Sequence, residues 1–187
     1  MEAILSLYLP GVPATPSGML DYFDQVRRAA QSGLYYVALG GALAIPDMCA
    51  AMETASGLTT DRLYEAWFDE WVAPKYSGAG GAHMTGHDCY GLRCSMLHQG
   101  RLEPHKGSYK RVLFIEPGAT TVVAHNNIMN DALNIDVNIF VRDMVESAVA
   151  WHERASQATA YQANYPRFMQ RYPWGLKPYI GGVPVIS

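Results

Sequence analysis

The sequence predicts a mainly α protein of one domain, a helical bundle that carries a small inserted β-hairpin. Three observations point there. Apolar residues recur at three- and four-residue steps along most of the chain between residues 19 and 155, the period of a helix with one buried face. One pair of β-rich runs, Val112-Leu113-Phe114-Ile115 and Thr121-Val122-Val123-Ala124, flanks Pro117-Gly118, which punctuates a turn. A length of 187 residues, 49% hydrophobic and 17% charged, suits one core of ordinary size and leaves two domains cramped.

Each element has its own warrant. Residues 10–18 are Pro/Gly punctuation, so residues 1–18 read as an irregular leader. Leu20, Phe23, Arg27, Ala30, Leu34 and Val37 then mark a long amphipathic helix from Met19 to about Leu43, apolar all round in its second half and therefore central to the bundle. Pro46-Asp47 suits the first turn of a further helix that ends near Gly57, because proline at that position loses no needed hydrogen bond and the acid faces the positive end of the helix dipole. Thr60 and Asp61 open the next helix, whose Leu63, Tyr64, Trp67, Phe68, Trp71 and Val72 form an aromatic core stripe stopped by Pro74. Residues 77–82 are a small-residue connection. Thr85 and Asp88 have capping-box spacing for a helix that Gly100 ends. After the hairpin, at about 110–125, Asn134 or Asp136 caps a last helix to about Ala155, with Val137, Val141, Met144, Val145, Ala148 and Trp151 on its buried face. The bundle thus covers 19–157, and 158–187 form a tail that mixes aromatics with Arg167, Arg171 and Lys177. That tail either wraps the body or stays available to a partner.

Composition removes several function classes. A formal charge of −3 gives no global pull toward nucleic acid, so any RNA contact has to come from a local patch or an assembled groove. Three cysteines, Cys49, Cys89 and Cys94, with no CxxC pair, fit free thiols in a reducing cytoplasm. The N-terminal apolar run follows Glu2 instead of a basic segment and is too short for a signal peptide. The uncharged stretch from Ala29 to Pro46 contains Gln31, Ser32 and three glycines, and reads as core helix rather than a membrane span.

The chemistry-bearing stretch is Tyr90-Gly91-Leu92-Arg93-Cys94-Ser95-Met96-Leu97-His98-Gln99-Gly100. Arginine holds a phosphate as a permanently charged fork, and histidine moves a proton near neutrality. Together they suffice for RNA cleavage without a metal, because RNA supplies its own 2′-OH nucleophile. A five-residue step turns a helix by about 500°, so the two side chains start roughly 140° apart and need something to bring them together. The structural alternative is that Arg93 pairs with an acid such as Asp88 while His98 bonds a carbonyl at the helix end.

Arg93-Cys94-Ser95-Met96-Leu97-His98, in its helical context, resembles the signature of the HEPN superfamily of helical nucleases and nucleotide-binding domains, an arginine followed after four to six residues by a histidine. The resemblance covers the signature helix well and residues 18–155 in outline. It implies a HEPN-like bundle and a homodimer in which two signature helices line one cleft. The implied activity is a metal-independent endoribonuclease, of the sort found in toxin–antitoxin and anti-phage defence systems, with Arg93 and His98 catalytic and RNA or a nucleotide as ligand. Cys94 stands where active members usually carry Asn, Asp or His. The alternative within the same resemblance is a non-catalytic module that binds a nucleotide or a partner protein as a regulatory or scaffold subunit. The resemblance also implies an antitoxin or defence-system protein as a possible partner.

Other residues extend or compete with this site. Cys94, Arg101, Lys106, Lys110 and Arg111 are candidate substrate-binding residues near the signature helix. His83, His87, Asp88, Cys89, Cys94 and His98 include two i, i+4 pairs of metal-ligand type, but nothing completes a tetrahedral set, so no metal and no cofactor is expected. His125-Asn126-Asn127 and Asn130-Asp131 read as turn residues.

Overall fold

The computed structural model describes residues 18–77, 82–119 and 124–187. Helices dominate. The described residues form α1 (Gly18–Gln31), α2 (Tyr35–Met52), α3 (Asp61–Trp71), α4 (Gly86–Gln99), β1 (Arg111–Ile115), β2 (Asn127–Met129), β3 (Ala132–Asp136), α5 (Val137–Ala155), α6 (Thr159–Asn164), β4 (Arg171–Tyr172) and β5 (Val185–Ile186). They fall into two compact units, the larger Phe23–Pro166 and the smaller made of residues 18–22 with Arg167–Ser187.

The expected helix from Met19 to Leu43 is two helices. Gly33 adopts a left-handed φ of 74°, and the amides of Gly33 and Leu34 bond back to the carbonyls of Ala30 and Ala29, at 3.1 and 2.9 Å. That is a Schellman stop, which only glycine forms without strain. The apolar run that continues past Gly33 belongs to α2. Nor does Pro46 begin a helix: it lies buried inside α2, which runs through it to Met52.

In the larger unit α2 is central and packs against α3, α4, α5 and α6. Among the described residues α2 is also the one helix long and apolar enough to cross a membrane by length and composition, but half of it is buried inside the protein. Tyr64 ties three helices together at the core. Its hydroxyl donates to the Leu43 carbonyl at 3.0 Å and lies 3.3 Å from the Cys89 sulfur. Since that hydroxyl proton is engaged, the Cys89 thiol is the donor to Tyr64, and burial pushes that thiol up to about 12. Trp67 of α3 meets Trp151 of α5 edge to face at 6.3 Å. All six residues expected on the inner face of α5 are buried, and Asp136 caps that helix by accepting from the Ile139 amide at 3.0 Å.

The small sheet has the order β1-β3-β2. β1 lies where a strand is expected, but its described partner is β3, in parallel, with Arg111 opposite Ala132 and Ile115 opposite Asp136. The expected second hairpin strand falls mostly on 120–123, outside the described residues. The hairpin that is present joins β2 to β3. Its two loop residues, Asn130 and Asp131, have φ of 50° and 62°, the geometry of a type I′ turn that Asn and Asp tolerate.

The expected tail also divides. Its first part forms α6, where the Asn164 amide donates to the Thr54 carbonyl at 2.8 Å and to that of Met52 at 3.3 Å, so this stretch belongs to the larger unit. In the smaller unit β4 pairs with β5 antiparallel. The backbones of Gln170 and Ser187 exchange two hydrogen bonds, at 2.7 and 3.0 Å, while Trp174 and Tyr179 stay exposed. The expected leader, apart from Gly18, lies outside the described residues, as do 78–81 of the small-residue connection.

Candidate functional site

Helix α4 is held from both sides before it presents any chemistry. Its first turn closes as a full capping box, with the Thr85 hydroxyl accepting from the Asp88 amide at 3.2 Å and the Asp88 carboxylate accepting from the Thr85 amide at 3.0 Å. The same carboxylate accepts from the Ser108 amide, which pins the following loop to the helix. Two glycines make close approach possible. A Cβ on Gly86 would sit 2.1 Å from the Glu65 carbonyl oxygen, and one on Gly91 would sit 2.2 Å from that of Lys106, so α3 and the 105–107 loop press directly on the helix backbone. Gly100, at φ 65°, ends the helix in a left-handed cap.

Arg93 and His98 come together within a single chain. The guanidinium Nη1 lies 3.0 Å from the His98 Nε2. The 140° offset between their Cα directions is bridged by the length of the arginine side chain, which reaches across a turn and a half of helix. A guanidinium carries only donors, so Nε2 is the acceptor and the neutral ring bears its proton on Nδ1.

The acid that faces Arg93 is Asp47 of α2, 46 residues away in sequence. Its Oδ2 accepts from Nε at 2.8 Å and lies 2.8 Å from Nη2. The acid expected as the arginine's structural partner, Asp88, is instead fully engaged in the capping box and with Ser108. Both members of the Asp47–Arg93 pair are mostly shielded, with side-chain exposures of 19% and 21%. Burial raises the Asp47 carboxyl above its usual value, and Arg93 and His98 only partly pull it back. Burial opposes the charge on Arg93 too, but Asp47 and the neighbouring Cys94 outweigh it and leave the guanidinium above its usual value. Of the five N–H donors on Arg93, the contacts to Asp47 and His98 use three, and a longer 3.9 Å approach of Nη1 to the Cys94 sulfur is the next. Donor capacity therefore remains for an incoming anion.

Tyr90, one helical turn before Arg93, extends the site. Its ring lies 5.8 Å from the Arg93 guanidinium carbon and 4.4 Å from the Lys106 ammonium. Lys106 is held by Glu65 at 2.7 Å, and His87 shares that same carboxylate oxygen at 3.1 Å. A continuous polar strip thus runs along α4 from His87 through Tyr90 to Arg93 and His98.

The remaining candidate residues lie apart from the pair. Arg101 follows the Gly100 cap and lines an open groove of about 340 Å³ with Leu102, Glu103, Arg111, Val112 and Leu113. In that groove Arg111 is paired with Glu103. Lys110 reaches Asp131 at 3.6 Å at the exposed end of the hairpin. Among the described residues no three His, Cys, Asp or Glu side chains gather as a metal-ligand set. The sequence pattern puts Asp47 at a helix start and does not join it to Arg93. The one signal available was general: a half-buried arginine requires an acid from somewhere in the fold.

No family model, no curated protein and no solved structure matches the chain.

Proposed function

We propose that the protein is a metal-independent endoribonuclease with a HEPN-like helical bundle, in which Arg93 and His98 are the working pair. The observation that carries this reading is the 3.0 Å approach of the Arg93 Nη1 to a His98 Nε2 that holds a lone pair. When an RNA phosphate takes the guanidinium, that lone pair is released to the 2′-OH. The 2′-oxygen then bonds to phosphorus and the bond from phosphorus to the 5′-oxygen breaks. The proton taken by Nε2 passes to the departing 5′-oxygen, leaving a 2′,3′-cyclic phosphate and a 5′-hydroxyl. Arg93 stabilises the charge that gathers on the phosphoryl oxygens. Lys106 over the Tyr90 ring and Arg101 with Arg111 in their groove supply further cations for the flanking chain. The proposal includes a homodimer that encloses this cleft, a cytoplasmic location, and a toxin or anti-phage role restrained by a partner protein.

A second reading is favoured by one specific observation, the Asp47 carboxylate already seated on Arg93. In it the bundle is a non-catalytic regulatory or scaffold module that binds a nucleotide or a partner protein, and the ion pair is structural.

Incubation of a labelled structured RNA with the protein in EDTA separates the two readings. The nuclease reading expects cleavage by the native chain and its loss in both Arg93→Ala and His98→Ala at matched folding. No cleavage by well-folded native protein moves the assignment to the regulatory module.

A further inference from the structure

We infer that Asp47 is a positioning residue of this site: it fixes the Arg93 guanidinium by one edge so that Nη1 faces His98 and holds that ring with Nε2 unprotonated. The inference rests on the reading of Arg93 and His98 as the working pair.

Three features of the geometry support it. Asp47 engages only the Nε/Nη2 edge of the fork, both contacts at 2.8 Å to a single oxygen, and that choice turns Nη1 away from the acid and toward His98. An ion pair that served only to join α2 to α4 could use any edge of the guanidinium, and would impose nothing on the histidine. The pair is also largely shielded from solvent, where a charge-assisted bond holds orientation better than an exposed one. Finally, the helix under Asp47 does not depend on this contact. α2 is anchored nearby by the Tyr64 hydroxyl on the Leu43 carbonyl and by Asn164 on the Met52 carbonyl. The Asp47 side chain is thus left to act on Arg93, and through Arg93 it sets which imidazole nitrogen carries the proton.

This relay differs from general electrostatic support, because the guanidinium is the intermediate and the tautomer is the output. A neutral acceptor of the same shape in place of Asp47 should preserve it. A side chain with no acceptor should abolish it, even though the positive charge on Arg93 persists.

Two readouts test this, one of which needs no nuclease activity. Long-range ¹H–¹⁵N correlation spectra of the His98 ring, recorded at pH about 8 where an ordinary imidazole is neutral, are expected to give Nδ1–H with Nε2 unprotonated in the native chain and in Asp47→Asn. Asp47→Ala is expected to give a mixture of tautomers. In single-turnover cleavage, Asp47→Ala should lower the rate about 100-fold through misplacement of the guanidinium. Its KM for RNA should stay level or fall, since a negative charge has left the phosphate site, and Asp47→Asn should recover most of the rate. An unchanged His98 tautomer in a folded Asp47→Ala overturns the inference, as does a rate increase in that variant, which would make Asp47 a competitor for the guanidinium. If the native chain cleaves no RNA, the nuclease reading falls alone and the tautomer spectra still decide the role of Asp47. If Asp47→Ala does not fold, the same spectra on Asp47→Leu, read against Asp47→Asn, decide it.

Discussion

The two ends of α4 each recruit an aspartate, and the two carboxylates do opposite things. At the N-terminal end Asp88 is 2% exposed, and its oxygens accept from the Thr85 amide and hydroxyl and from the Ser108 amide. Every contact is to a group of the fold itself, and nothing is left for a ligand. Near the C-terminal half Asp47 approaches from another helix, uses one oxygen, and faces a guanidinium with donors to spare beside an exposed histidine. A saturated carboxylate between backbone amides holds structure. One that orients a still available cation prepares a site. The difference lies in what the partners can still bind, since burial alone places both acids away from water.

The comparison can be broken first at the N-terminal end. Gly86→Ala drives a Cβ into the Glu65 carbonyl and should cost about 3 kcal/mol, at the upper end for overpacking, because backbone must move to relieve it. Urea unfolding reads this as a lower midpoint at unchanged slope. Asp88→Ala is next, at about 2 kcal/mol, since it removes a cap and strands the Ser108 and Thr85 donors. Both variants should lose stability before they lose anything specific to the site.

At the other end the expected order reverses. His98→Ala removes an exposed side chain and should change stability by less than about 0.5 kcal/mol while abolishing cleavage. Arg93→Ala leaves Asp47 without its cation and should cost about 1 kcal/mol, a figure discounted for the partial exposure of the pair. A large loss of stability in His98→Ala, or full activity in either variant, erases the distinction between the two ends.

The smallest effect is one of pH. Burial holds both His125 and His152 below the ordinary imidazole value. The unfolded chain then binds protons that the folded one refuses, so stability is full above the unfolded value of about 6.5 and falls as pH drops through it toward the folded values. Unfolding midpoints taken at about pH 7.5 and 5.5 should differ in that sense. His152→Asn should flatten part of the difference. Asp47, raised by burial, acts in the opposite direction.

What was legible in the chain was local. The capping box at Thr85 and Asp88, the Gly100 stop and the inner face of α5 each depend on nearby residues, and each stands in the structure as the sequence predicts, while the cap of α5 is Asp136, one of the two the sequence leaves open. Gly33 was hidden because the apolar pattern runs across it unbroken, so a stop made by backbone conformation left no gap in the hydrophobic period. Pro46 misled because a proline before an acid is the ordinary mark of a helix start, whereas here it sits in the interior of α2. The pairing of β1 with β3 and the pairing of Asp47 with Arg93 are both long-range, and side-chain type alone does not choose among distant partners. At the candidate site Arg93 and His98 were legible as a motif. Their contact, and the acid that sets it up, needed the fold.

The measurement that bears most directly on the central claim is the end chemistry of cleavage in EDTA. A labelled RNA and its fully 2′-deoxy counterpart would be compared with the native chain and with His98→Ala. The account predicts RNA fragments ending in 2′,3′-cyclic phosphate from the native chain, an intact deoxy strand, and no products from the variant. Cleavage of the deoxy strand, or undiminished RNA cleavage by His98→Ala, would contradict it.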